Sequence, residues 1–199
     1  MKTWISAAAL LAAVTTAQAG TVWDEAAGTQ DLSDDRLAPT LVAMTVGHNV
    51  VLGTTGNAGA GIDRDYFSFV VPTGAVLEAL VLLPNTSVSG DSSFLALQAG
   101  PQVTVTPTGG GAGVGALYGL VHYRNDQIGQ NLLPQMVFGT STVPVPAGTY
   151  SVWLQELGGT VGYGLDFVIT SSVPEPGTAL SLGLGLLGLA CRRFVLQRR

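Results

Sequence analysis

Between residues 21 and 172, apolar, β-branched and aromatic residues come in short runs, and clusters of Gly, Pro, Asn and Asp part them at close spacing. No stretch there sustains a 3.6-residue repeat, so the pattern predicts strands joined by frequent turns, as in a β-sandwich. Residues 41–52 read as one or two strands, broken near Gly47, His48 and Asn49. The strongest strand signal covers 66–71 and ends at Pro72 and a turn at Thr73 and Gly74. A near-continuous apolar run over 76–83 follows, the pattern of a strand buried on both faces or an element packed in a core. Further strands are predicted over 94–98 and 103–106, and five glycines among residues 109–115 predict a flexible loop. The strand pattern resumes over 118–123. Pro146, Ala147 and Gly148 turn the chain into 149–155, where Tyr150, Val152 and Leu154 alternate with Thr149, Ser151 and Gln155, and Trp153 breaks the alternation. Gly158 and Gly159 turn it again, and 163–170 is the closing strand. Residues 24–37, polar and acidic, read as an irregular lead-in.

The two ends differ in kind from this interior. Met1 and Lys2 form a short basic region, residues 5–14 an apolar one, and Ala17-Gln18-Ala19 puts small residues at both positions that a signal peptidase reads. A signal peptide over 1–19 is expected, with cleavage leaving Gly20 as the first mature residue. At the other end Val173, Pro174, Glu175 and Pro176 precede an uncharged apolar stretch over 177–191, and Arg192, Arg193, Arg198 and Arg199 follow it. The prolines hold the segment around Glu175 extended, the backbone form a protease cleft takes. As a helix the apolar stretch spans roughly 22 Å, short of the roughly 30 Å hydrocarbon core unless the flanking arginines snorkel. The arginines mark the cytoplasmic side, which places the body outside the cytoplasm.

Taken in that order, the Pro-Glu-Pro segment, the Gly/Leu-rich helix and the arginine cluster resemble the PEP-CTERM sorting tail of exopolysaccharide-producing Gram-negative bacteria. The resemblance covers residues 173–199 and implies recognition and removal of the tail by an exosortase, a membrane-embedded transpeptidase-like enzyme. A tail that is never cut, leaving a permanently anchored envelope binding protein, is the alternative.

Charge sharpens this division of the chain. The whole chain has a mean hydropathy of +0.41 and 11% charged residues, but the terminal runs supply much of that hydropathy. From 20 to 172 three arginines face twelve acidic residues, a net charge near −9, and no lysine follows Lys2. Such a body repels phosphate backbones, which disfavours nucleic-acid partners. Cys191, the single cysteine, excludes an internal disulfide and a Cys-rich zinc site. Lying in the tail, it reads as a small apolar residue of a membrane helix or as a lipidation or redox site.

Two blocks of the interior are similar to bacterial pre-peptidase C-terminal (PPC-like) domains. Residues 63–74, running from Asp63-Arg64-Asp65-Tyr66-Phe67 to Pro72-Thr73-Gly74, resemble their opening strand and turn. Pro146-Ala147-Gly148-Thr149-Tyr150-Ser151-Val152, with Gly162-Tyr163-Gly164-Leu165-Asp166-Phe167, resembles their closing hairpin, and 91–98 sits where they carry a middle strand. The resemblance implies an all-β, jelly-roll-like antiparallel β-sandwich over 20–172, of a kind used as an accessory binding or secretion module. Residues 101–143 depart from that pattern in being long and Gly-rich, and no catalytic domain accompanies the sandwich.

Candidate chemistry is sparse. Gly90-Asp91-Ser92-Ser93 has the form of a lipolytic nucleophile block, but that chemistry needs a histidine base oriented by an acid, and neither His48 nor His122 has an acid three residues before it. A polar turn is the expectation, and no enzyme is expected. The two histidines read as ordinary surface or strand residues. The glycine loop lacks the Lys-Ser or Lys-Thr, and the spaced acid, of nucleotide-binding loops. Trp23 and Trp153 are candidates for stacking on sugar rings, though each is ordinary core material. Asp31, Asp34 and Asp35, with Asp63 and Asp65, collect hard oxygen ligands in apparent loops. They are read as a solvated acidic edge, with calcium the cation they would take if they bind one. No other cofactor is expected.

The chain is thus expected to be exported across the inner membrane, held there as an anchored intermediate, and released to the cell surface or beyond. Its expected partners are signal peptidase, exosortase, the inner membrane and exopolysaccharide. Its expected role is a structural or binding one.

Overall fold

The computed structural model describes residues 19–172, apart from Thr29, Ala58, Ala60 and residues 108–112. Ala17, the sorting segment from Val173 to Pro176, the apolar stretch with Cys191, and the arginines from Arg192 to Arg199 lie outside the described residues. Among the described residues no helix is long and apolar enough to cross a membrane.

Among the described residues nine strands run β1 (Gly20–Asp24), β2 (Thr40–Leu41), β3 (Gly47–Asn57), β4 (Ile62–Val71), β5 (Ala75–Leu82), β6 (Ser93–Ala99), β7 (Gly119–Tyr123), β8 (Gly148–Gln155) and β9 (Val161–Ser171). The rest is connection, with a few three-residue 3-10 turns such as Glu25–Ala27 and Val114–Ala116. The strands form one continuous curled sheet in the order β5-β9-β3-β4-β8-β6-β7. β3 and β4 pair only at their joined ends, Gly56 with Asp63 and Asn57 with Ile62. The sheet therefore folds over at that hairpin, and its two wings face each other across the core. Phe167 of β9 meets Phe67 and Phe69 of β4 edge-to-face, at 5.7 and 5.1 Å between ring centres, all three with no exposed surface. Each such ring contributes roughly 1.5–3 kcal/mol by leaving water.

Several expectations are corrected in detail. The sheet is not wholly antiparallel, because β1 joins β3 and β2 joins β4 in parallel. Gly47, His48 and Asn49 open β3 instead of breaking a strand; the interruption falls at 42–46, where the chain crosses between wings. Residues 103–106 form no strand. Their apolar side chains Val103 and Val105 are buried on the outer face of a wing instead, with Trp153, Tyr66 and Leu120. That second cluster explains why Trp153 breaks the alternation of β8: loops cover the outer face there, so the middle of the strand is buried on both faces. β8 and β9 do not form a hairpin, since β8 pairs with β4 and β6, and β9 pairs with β3 and β5. Of the two readings of the apolar run 76–83, the element packed in the core holds, since Leu77, Leu80 and Leu82 of β5 are buried in it. The strand lies at the sheet's edge and is not buried on both faces, with Glu78 bulged out to solvent. The long middle segment covers that edge: Leu77 and Val145 exchange backbone bonds of 2.9 Å, and the Leu132 N–H donates to Leu80. An edge so occupied cannot template another chain.

Candidate functional site

Alternation along β4 puts Phe67, Phe69 and Val71 on the core face, and the same parity turns Asp63 and Asp65 inward with them. The pair therefore lies in a strand and not in a loop, and Asp65 has no exposed surface. Neither Asp65 carboxyl oxygen has a hydrogen-bond partner, and the buried Asp63 Oδ1 lacks one too. Burying a carboxylate unpaired is costly, and native interiors avoid it by pairing, protonation or metal ligation.

Facing Asp65 are two carboxylates of the lead-in segment. Glu25, in the 3-10 turn after β1, and Asp31 bring carboxylate oxygens that lie with one of Asp65 within 4.8 Å of one another. The Asp24 side chain caps that turn through the Ala26 N–H at 3.0 Å. The Leu32 N–H donates to one Glu25 oxygen at 3.1 Å and the Thr54 N–H to the other at 2.7 Å, which fixes the Glu25 carboxyl over β3. Beneath it lies Tyr163. Its buried hydroxyl faces Asp65 and favours the ionised carboxyl, without reaching hydrogen-bond geometry to either oxygen. Gly53 makes this approach feasible, since a Cβ there would stand 2.4 Å from the Tyr163 Oη and 3.0 Å from the Glu25 Cδ. A cleft of about 250 Å³, lined by Asp24, Glu25, Gly53, Thr54 and Tyr163 among others, opens beside the group.

The electrostatics follow from this crowding. Burial, reinforced by Glu25, Asp63 and Asp31 and opposed by Tyr163, pushes the Asp65 carboxyl up to about 9. Burial, together with Asp31, Asp34 and Glu25, pushes Asp63 up to about 6. Glu25 is raised as well, chiefly by burial, and Tyr163 stands well above the usual phenol value for the same reason. A cation among these oxygens would reverse all the carboxyl shifts. The donors are hard oxygens with no nitrogen or sulfur among them, a set for calcium, magnesium or manganese and not for zinc.

Asp31, Asp63 and Asp65 are thus brought together; Asp34 stays near enough to raise Asp63 but is outside the ligand group, and Asp35 is drawn off. Asp34 accepts from the Arg64 N–H at 3.0 Å, and Asp35 accepts from the Leu37 N–H at 2.9 Å within its own turn. Sequence reasoning missed Glu25 and Tyr163. The available signal was the parity of β4, which makes Asp65 a core position, and a core carboxylate needs partners from other segments.

The other candidates separate. His48 lies in β3, its Nδ1 2.6 Å from the Asp166 carboxylate, and His122 lies in β7 of the other wing, edge-on to Phe94. Ser92 and His122 line one groove with Glu156, yet no hydrogen bond joins them. The Glu156 carboxylate is committed to Ser93 Oγ at 2.6 Å and to the backbone N–H groups of Ser89, Leu157 and Gly158. Trp153 is buried between Tyr66 and Phe94, so its faces are not open to a sugar, and half-buried Trp23 packs on the main core. Gly20, at the expected cleavage point after Ala19, is the first residue of β1.

Residues 172–193 match the family model of the PEP-CTERM protein-sorting motif. That motif marks an exported protein sorted by an exosortase, with a membrane-anchored tail before its placement at the cell surface or outside the cell. Comparison of the chain with curated proteins and with solved structures returns no match.

Proposed function

We propose that the chain is a non-catalytic module of the cell surface or extracellular polymer, delivered by its sorting tail and built around a divalent-cation centre. Glu25, Asp31 and Asp65 hold the cation, Asp63 stands behind them, and calcium, abundant outside the cytoplasm, is the ion of choice. The carrying observation is Asp65, a fully buried carboxyl without a hydrogen-bond partner, turned toward two other carboxylates. The acidic, lysine-free surface supports a bridging role, in which shared cations link the domain to anionic exopolysaccharide. The fold is read as a PPC-like, jelly-roll-like sandwich. In support, the two resembling blocks coincide with β4 and its following turn and with β8 and β9. The reading as a non-enzyme is supported by the groove of Ser92 and His122, where the neighbouring carboxylate is already engaged.

The test is to recover the protein from the envelope and medium of its own host, with and without a calcium chelator, and to weigh it intact. The expected species begins at Gly20, ends near Pro174 to Pro176, and leaves the polymer fraction when calcium is chelated. A species retaining Arg199 would mean a permanent anchor, and polymer association indifferent to chelation would refute cation bridging.

A further inference from the structure

The strand registers give the domain two distinct ends. β9 finishes at Ser171, paired with Ala75 at the start of β5, and the Ser172 N–H donates to Gly74 in the turn between β4 and β5. The starts of β3 and β8 and the end of β4 lie at this same end, through Gly47 with Ile169 and Val71 with Gly148. β1 also runs away from it, since Gly20 pairs with Asn49 and Asp24 with Leu52. The chain thus leaves for its tail, and arrives from its signal segment, on this side.

This end is apolar. Of the eight large apolar side chains exposed among the described residues, six belong to it: Leu41, Val46, Val70, Val137, Phe138 and Val143. Leu157 projects from the opposite end. Phe138 is the most telling, being 64% exposed at a φ of 57°, the left-handed region that a bulky residue avoids. Its neighbours impose that backbone. Val137 exchanges two backbone bonds with Leu120, Gly139 is wedged against the carbonyls of Leu117 and Tyr118, and the Tyr118 hydroxyl is bonded to Thr142. Most carboxylates lie toward the other end, among them the metal group, Asp91, Asp126 and Glu156; Glu78, beside Leu77, and Asp166, bonded to His48, are nearer this one.

We infer that the tail-proximal end of the β-domain rests on the lipid surface for as long as the C-terminal tail is anchored there. This rests on the anchored-intermediate reading of the tail. Only Val173 to Pro176 separate Ser172 from the apolar stretch, and at no more than about 3.5 Å per residue that tether reaches under about 18 Å. A strand the length of β9 spans about 36 Å, so the end that bears the tether is held within reach of the bilayer. Exposed aliphatic and aromatic side chains lie favourably at the headgroup boundary. With most carboxylates toward the far end, this one meets less repulsion from anionic lipid, Glu78 being the exposed acid that remains near it.

The experiment uses the signal-cleaved, tail-bearing chain in vesicles of phosphatidylethanolamine and phosphatidylglycerol, made with or without brominated acyl chains. Phe138→Trp and, as a second reporter, Val143→Trp are compared with Leu157→Trp and with the parent. Bromine is expected to remove most of the emission added at 138 and 143 and to spare that added at 157. Equal quenching at both ends, or none at 138 and 143, would overturn the inference. Emission at 138 that ignores bromine but shifts with protein density would overturn it in favour of contact between copies. Vesicle flotation separates the two levels: a chain that floats without quenching refutes the docking alone, and one that fails to float refutes the anchor as well.

Discussion

Replacing Asp65 by asparagine keeps the shape of the side chain and removes its capacity to ionise, which separates the cost of a buried carboxyl from its use as a ligand. In the metal-free protein the Asp65 carboxyl holds its proton up to about 9, while in the unfolded chain it ionises near its ordinary value of about 4. The folded state therefore binds one more proton throughout that window. Stability from this group is fully present below the unfolded value and is lost as pH rises toward the folded one, at about 1.4 kcal/mol per pH unit. From pH 5 to pH 8 this amounts to at most about 4 kcal/mol, or a fall of more than about 1 M in the urea midpoint. Asp63, raised to about 6, adds a smaller loss in the same direction at the acid end of that range. Calcium at a hundredfold its dissociation constant returns about 2.7 kcal/mol, and at about 2–4 °C per kcal/mol the melting temperature rises by about 5–10 °C. The assay is urea unfolding followed by the emission of Trp23 and Trp153 at several pH values, in chelator and in calcium. Asp65→Asn is expected to be at least as stable as the parent in chelator at pH 8, to lose most of the pH slope, and to gain nothing from calcium. A chelated parent whose midpoint does not fall with pH would refute the burial argument. An Asp65→Asn variant that calcium still stabilises fully would refute the ligand assignment.

Gly53→Ala drives a Cβ to 2.4 Å from the Tyr163 hydroxyl and 2.6 Å from its ring, so a loss of about 1–3 kcal/mol is expected. Because the same atom crowds Glu25, calcium titration of this variant should also show weakened binding. Phe167→Ala empties the seam between the wings, and about 3–5 kcal/mol is expected from the lost ring and its cavity; a loss below about 1 kcal/mol would mean the wings do not share one core. Ser93→Ala removes a 2.6 Å bond to Glu156 and is expected to cost about 1–3 kcal/mol at neutral pH. Burial opposes ionisation of Glu156, but the bonds from Ser93, Gly158, Ser89 and Leu157 outweigh it and hold the carboxyl below its ordinary value. Its stabilisation is thus present above the unfolded value and lost as pH falls, so the deficit of the variant in urea midpoint narrows in acid.

The strands whose inward residues alternate were legible in the sequence, because period-two burial is a local property. Tyr66 to Val71 and Tyr150 to Leu154 belong to this class, and β4 and β8 contain them. The pairing of strands was not legible. β8 is followed by β9 after a short connection, and such neighbours ordinarily form a hairpin. Here Asn57 takes the Gly158 carbonyl and β9 crosses to the other wing, a choice set by contacts remote in sequence. The same holds for the metal group. Asp63 and Asp65 stood out as a pair, but the partners of Asp65 come from residues 25 and 31, and that lead-in carries no regular pattern. The acidic character of 24–37 pointed to solvent, whereas its function in the fold is to lay Glu25 and Asp31 over an inward-facing carboxyl.

The two ends of the domain bear on each other. Asp65 stands six residues before Val71 in β4, which sets the cation centre about 20 Å along the strand from the tail-bearing end. With that end against lipid, the centre and the surrounding carboxylates face away from the bilayer, toward whatever lies above it. On the proposed bridging role, a cation bound there would meet the polymer layer before the tail is cut, while the protein is confined to a surface. Cutting at Glu175 or nearby would leave the apolar end without its tether. On the same proposal, retention would then depend on the acidic end alone. Loss of cation binding should accordingly release the processed protein to the medium while leaving the anchored precursor in place, a difference visible by comparing Asp65→Asn with the parent in both fractions.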